Sequence, residues 1–283
     1  MKKIFKTLAV LAAVAALGFG FVSCGDSGDD NNGSGSPSSG GGNGGGGNSG
    51  YIGTKAPSEA KAVGDIVFSD GSASPYTTSY LSFDSKMAAV AVIFYAGSSD
   101  DVLGAKTLGL GLQSSWKIDG AFAKDKTTGF TTNFTEIQCT PSASGNGAAR
   151  TATFTGDLDG SDNWAKICAT DTTAEENAET NYPAFYKVNN YGTTYNVRGD
   201  DYQSGWYLPT VAELSMLYRV KDTVNAVMLG VLRGDASNLH DQYTSSSQCS
   251  SDDEQVWQVD FNNGNISPLS KNSYNYCRAI RAF

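Results

Sequence analysis

The chain of 283 residues contains a single histidine, His240, and only 20 lysines and arginines against 29 aspartates and glutamates. Scarcity of histidine takes away the commonest general base and the commonest zinc ligand. His240 lies in Asn238-Leu-His-Asp241 with no serine or cysteine nucleophile signature beside it, so it reads as a solvated loop residue. The shortage of basic side chains argues against nucleic acid or an anionic lipid surface as ligand, because both need a basic patch. Cysteine is sparse as well, with five in all and no Cys-x-x-Cys, which removes the usual zinc frameworks. The apolar run at residues 8–21 is about 14 residues long, shorter than the roughly 20 that a membrane-spanning helix needs.

That run follows Lys2, Lys3 and Lys6 and ends in Val22-Ser23-Cys24, the order of a basic n-region, an apolar h-region and a small-residue cleavage site. A cysteine directly after a small residue resembles the lipobox of bacterial lipoproteins. The resemblance implies a signal peptide over 1–23, a lipid on Cys24 and a place in the cell envelope, on a membrane face that the sequence does not choose. Residues 24–50 continue almost entirely as Gly, Ser, Asn and Asp, too polar to offset the entropy of ordering, and read as a tether. Loss of the leader takes the net charge from −9 to −12, leaving lipid rather than charge to hold the protein to a membrane. Residues 51–283 suffice for one domain with its own core.

Outside the cytosol Cys139, Cys168, Cys249 and Cys277 could pair completely, in any of three connectivities. Closeness in the chain favours Cys139 with Cys168 and Cys249 with Cys277; free buried thiols are the alternative.

Residues 64–68 and the continuous apolar run 87–95 predict strands, the second buried. Leu108-Gly-Leu-Gly-Leu112 and the Trp116 segment look structured, whereas 120–147, rich in Thr, Ser and Gly, reads as an insertion. After Trp206-Tyr207-Leu208-Pro209, Thr210 and Glu213 form a capping box, and Val211, Leu214, Leu217 and Tyr218 share the face of the helix that follows. A second helix is expected from about Thr223, with Val224, Val227, Met228 and Val231 on one face and Gly234 as its stop. Beyond His240 come short β segments: 255–261, the Asn263-Gly264 hairpin turn, and 277–283. Strands, two helices and a terminal hairpin array make the fold class α+β.

Gly205-Trp-Tyr-Leu-Pro-Thr210 with Glu213-Leu214, Tyr243-Thr-Ser-Ser-Ser247, Val256-Trp-Gln-Val-Asp-Phe261, Asn263-Gly264 and Arg278-Ala-Ile-Arg-Ala-Phe283, in that order, resemble the Fibrobacter-succinogenes-type major domain. Gly64-Asp-Ile-Val-Phe-Ser-Asp-Gly71 is similar to the opening strand of such lipoproteins. The resemblance spans roughly 63–283 and is strongest over 204–283. It implies a C-type-lectin-like fold of the formylglycine-generating-enzyme type. Thr244 and Gln258 stand where that family often has a tryptophan and an aromatic residue, a departure in the region where ligand contacts would fall. Some members are variable proteins of diversity-generating retroelements. From Tyr243 to Tyr276, 19 of 34 residues are Ser, Asn, Asp or Tyr, whose codons carry adenine or lie one adenine substitution from asparagine; a solvated hairpin has a similar composition.

No catalytic constellation is found and no cofactor is expected. Trp257 is followed by Gln258-Val259-Asp260, and Pro268 is flanked by Ser267 and Leu269, neither of which matches a lectin calcium loop. Asp157-Leu-Asp-Gly-Ser-Asp162 reads as an acidic turn. The residues left as a ligand surface are Tyr243, Thr244, Ser247, Ser250, Asp252, Asp253, Gln258, Asn272, Tyr274 and Tyr276, a mixture of tyrosine and small polar groups of paratope-like character. Trp206, Leu214, Leu217, Trp257 and Phe261 are expected in the core. The sequence thus points to a lipid-anchored binding or adhesion receptor for a protein or glycan, not an enzyme. A formylglycine-generating-type oxidoreductase and a structural envelope lipoprotein are the alternatives.

Overall fold

The computed structural model describes residues 50–76, 83–113, 120–231 and 238–283. Cys24, the tether, Trp116 and Gly234 lie outside them. All described residues belong to one compact unit, Gly46–Phe283.

Its largest layer is an antiparallel five-stranded sheet built from β1 (Asp65–Phe68), β2 (Ala73–Pro75), β3 (Ala89–Ala96), β4 (Thr107–Gly111) and β10 (Ile280–Ala282), in the order β10-β4-β3-β1-β2. The apolar run at 87–95 has its cause here, because the sheet is covered on both faces. Ile66, Phe68, Val92 and Phe94 enter one cluster, and Val67, Ala91 and Ile93 enter the other. Side chains that alternate between two buried faces leave no polar position in the strand. Met87 and Ala88 depart from the expectation by ending a short helix, α1 (Phe83–Ala88).

β4 shows why leucine alternates with glycine. Leu108 and Leu110 join the first cluster, while a Cβ on Gly109 or Gly111 would fall 2.4 Å from the Phe283 ring or 2.6 Å from the Tyr191 ring. The glycines let two aromatic rings lie directly on the sheet.

Segment 120–147 is not a surface insertion. It carries α2 (Thr128–Thr131) and β5 (Cys139–Pro141), and it buries Ala121, Phe122, Ala123, Phe134 and Ile137. The buried Lys271 holds it by donating to the carbonyls of Gly129 (3.0 Å) and Thr132 (2.8 Å). A three-residue run, Ala121-Phe-Ala123, and the separate Phe134 and Ile137, set among Thr, Ser and Gly, are too short and scattered to give a periodic signal, so their burial was invisible in sequence. After α3 (Ala148–Thr151) and β6 (Phe154–Gly156), which pairs with β5, the chain enters four short helices not foreseen: α4 (Asn163–Thr170), α5 (Ala178–Asn181), α6 (Pro183–Asn189) and α7 (Tyr191–Thr194). At four to eight residues, they are too short to show a helical period.

The capping-box helix is α8 (Val211–Arg219). The Thr210 hydroxyl accepts from the Glu213 N–H at 3.1 Å, and the Glu213 carboxylate accepts from the Thr210 N–H at 2.8 Å. α8 packs against β3 on one side and against β7 (Gln242–Gln248) and β8 (Gln255–Asp260) on the other, which buries it all round from Val211 to Tyr218. α9 (Lys221–Val231) begins about two residues before the expected start and turns Val224, Val227 and Met228 to the core. β7, β8 and β9 (Asn265–Ser270) form an antiparallel three-stranded sheet, with Asn263-Gly264 in the β8–β9 turn.

Cys139, Cys168, Cys249 and Cys277 form no disulfide, which corrects the pairing reading in favour of its alternative. Each is packed into a different place. Cys139 on β5 meets the Ala212 backbone and the Ser247 hydroxyl, Cys168 is half-buried on α4, Cys249 follows β7 near Lys271, and Cys277 sits in the second cluster. Burial pushes the Cys139 and Cys249 thiols up to about 12, so both are unreactive packing groups.

Candidate functional site

Strand β7 is where the expected ligand surface and the structure part. Tyr243, Thr244 and Ser247 are buried, Thr244 to 0% exposure, because β7 lies between β8 and the N-terminus of α8. The strand's three serines hydrogen-bond inside the protein instead. Ser245 donates to the Trp257 carbonyl (2.7 Å), Ser246 accepts from the side-chain amide of Asn163 (2.8 Å), and Ser247 accepts from the Val211 N–H (3.0 Å). The last of these satisfies an amide that the first turn of a helix leaves unpaired. Tyr243 packs edge-on against Phe261 at 5.0 Å.

The other expected residues do not converge. Ser250 faces Thr140 across 3.2 Å, and Asp252 accepts from the Glu254 N–H. Gln258 lies in a β8–β9 network with Ser267 and Asn275, and Asn272 accepts from Ser270. Asp253 is exposed and Tyr276 half-buried. Tyr274, 55% exposed, receives the Lys124 ammonium at its hydroxyl (2.9 Å) and over its ring. Of the expected core residues, Trp206, Leu214, Leu217 and Phe261 are buried and Trp257 is half-buried. His240 is exposed and engages the Asn238 carbonyl and Asp241. The acidic turn is held by lysine: Asp159 pairs with Lys106 at 2.7 Å, while Asp157 and Asp162 pair with Lys166. Among the described residues, no group of three or more His, Cys, Asp or Glu could hold a metal ion, and no helix is long and apolar enough to cross a membrane.

What the fold does bring together is a cleft of about 540 Å³, within the usual range for small-ligand sites. Its walls come from Ser161 in the turn before α4, from Trp164 on α4, from α6 (Phe185, Asn189), from 205–208 and from Arg281 on β10. Trp164 is half-buried, stacked on Phe185 at 5.4 Å and 28° and met edge-on by Tyr182, whose hydroxyl donates to Asp171. Trp206, 3% exposed, donates its indole N–H to the Tyr202 carbonyl and packs on Tyr191 at 4.6 Å. The Arg281 guanidinium lies over the Tyr202 ring and donates to the Ser204 carbonyl. Among the described residues it has no carboxylate within ion-pair distance. A second groove, about 550 Å³, runs beside α9, but Asp65 at its edge is already paired with Lys55 at 2.6 Å.

Glu213 holds the cleft floor in place. Fully buried, its carboxylate accepts from the Gly160 N–H (3.2 Å) and the Tyr207 hydroxyl (3.0 Å) as well as from Thr210. Burial pushes it up to about 7, opposed by these donors. Gly160, Tyr207 and Leu208 all line the cleft, so the capping box seen in sequence also fixes one wall of the site. Tyr207 and Ile280 exchange both backbone hydrogen bonds, at 2.9 and 3.1 Å, which ties that wall to β10. Sequence reading passed over Trp164 and Arg281 because the elements that converge on them are far apart in the chain. The Gly205-Trp206-Tyr207 and Arg278–Phe283 motifs supply lining residues, but neither reads as a site.

The protein is therefore an α+β domain of antiparallel sheets carrying an aromatic-walled cleft. Residues 143–281, a little under half of the chain, match the family model of the Lcl C-terminal domain. This stretch takes in all but the last two residues of 204–283, and it contains every residue named as lining the cleft. No curated protein matches the chain. Among solved structures the chain is similar to a fimbrial protein from Bacteroides ovatus ATCC 8483, at 15% identity and a TM-score of 0.53, over 79% of this chain and 49% of that one. The chain spans about half the length of that protein, and the likeness is one of fold.

Proposed function

We propose that this chain is a lipid-anchored envelope protein whose domain, of C-type-lectin-like type, binds a ligand in the cleft between α4, α6 and β10. The observation that carries the reading is the cleft itself: Trp164 and Trp206 with Arg281 and Asn189 on walls made rigid by Glu213. Aromatic area with a few fixed polar groups is the composition of a recognition site. The fold type is supported by the way β10 returns to pair with β4 beside β3 and β1, so that the two ends of the domain meet in one sheet. The match to the Lcl C-terminal domain and the likeness to a fimbrial protein agree with a surface or adhesion role. The domain is proposed as non-catalytic, its nearest enzyme-like groups being the exposed His240 and the buried thiols.

Diversification of the tail, if present, would act on Ser250, Asp253 and Tyr274, which are exposed, and not on buried Thr244 or Ser247. Cell fractionation of Cys24→Ala tests the anchor, with the variant expected in the soluble fraction. A processed variant that stays with membranes overturns lipid as the sole anchor. A copper-supported thiol oxidase activity abolished by Cys277→Ser would replace the binding reading with the enzymatic one.

A further inference from the structure

We infer that the cleft takes a neutral saccharide unit, with its C–H face against Trp164 and its hydroxyls on Ser161, Asn189 and Arg281; this rests on the cleft reading above. Trp164 offers an aromatic surface that is partly open and packed on Phe185 and Tyr182. A pyranose is amphipathic in the same way, with a C–H face that packs on a ring and a rim of hydroxyls that both donate and accept. Asn189 and Ser161 likewise donate and accept, and Arg281 keeps N–H groups beyond the one given to Ser204.

Three observations narrow the ligand class. The cleft is open to solvent, which suits a molecule that stays hydrated on its outer face better than an apolar one that needs enclosure. An extended peptide cannot add to the sheet at β10, because Ile280 already exchanges both backbone bonds with Tyr207. Arg281 is the one charged side chain named in the walls, and the chain carries a net charge of −9, so a polyanionic glycan meets one cation in a repelling field.

The test is titration of the full-length protein, in detergent, with lactose, mannobiose and chitobiose, and with heparin as the polyanion, followed by calorimetry and tryptophan fluorescence. At least one neutral disaccharide is expected to saturate with a dissociation constant of order 1 mM or tighter, weakened at least about tenfold by Trp164→Ala. Asn189→Ala, which removes a half-buried amide on the cleft wall, is expected to weaken it several-fold with an unchanged melting temperature, and it decides the matter if Trp164→Ala fails to fold. If only heparin binds, and does so in an Asn189- or Trp164-dependent way, the cleft is a site but the neutral-sugar assignment is wrong. If sugar binding ignores both substitutions, or no probe binds, the sugar assignment and the cleft reading fall together.

Discussion

Strand β7 and the cleft invert each other. Residues 243–248 read Tyr-Thr-Ser-Ser-Ser-Gln, a composition of solvated loops, and every one of them is buried. Trp206 reads as core and is buried, yet with Trp164 and Tyr207 it borders an open cleft. Composition fails at β7 and is silent on the cleft, because burial follows from where the partners lie. A serine can be buried without penalty when its hydroxyl meets a backbone group that also lacks a partner, as Ser247 does at the Val211 N–H. A tryptophan can border solvent when its N–H and most of its ring are satisfied by the protein, as for Trp206.

The largest effect expected within this contrast is at Trp206. Although it borders the cleft, Trp206→Ala should cost about 3–5 kcal/mol, the loss for a buried tryptophan, measurable by chemical denaturation. A loss near that of a surface change would show that Trp206 belongs to the ligand rather than to the fold. Next is Glu213, whose folded value of about 7 stands above the ordinary 4.5. Folding therefore favours its protonated form, and the stability linked to this group is full below about pH 4.5 and lost as pH rises to about 7. The amount is on the order of 3 kcal/mol, and Glu213→Gln should flatten that part of the stability profile. A profile unchanged by the substitution would remove Glu213 as its source.

Ser247→Ala should cost about 1–3 kcal/mol by leaving the Val211 N–H unpaired inside the protein. A neutral result would mean that β7 is not closed over the helix end. Smallest is the joint change of Ser250, Asp253 and Tyr274 to alanine, expected to stay within about 0.5 kcal/mol per site. If that variant unfolds as readily as Trp206→Ala, the exposed tail is part of the core after all.

Local signals carried far in some places. The Thr210/Glu213 capping box and its apolar face gave α8, the β-branched run at 87–95 gave β3, and Asn263-Gly264 gave the β8–β9 turn. Each rests on neighbours within a few residues, which sequence displays directly. The cleft drew on 160–164, 185–189, 205–208 and 281; the Trp206 and Arg278–Phe283 motifs and the acidic turn stood out singly, with nothing to join them.

The sequence by itself determined the α+β character, the central helix and its cap, and the unusually acidic balance, because periodicity, capping and charge are written residue by residue. The tertiary structure alone decided that Cys139, Cys168, Cys249 and Cys277 form no disulfide, that 120–147 contributes to the core, that Ser247 accepts from the first N–H of α8 and that Trp164 and Arg281 line one cleft. The reason is physical: each of these outcomes depends on which distant groups are brought within hydrogen-bond or van der Waals reach, and a one-dimensional pattern carries no distance between elements that are not neighbours in the chain.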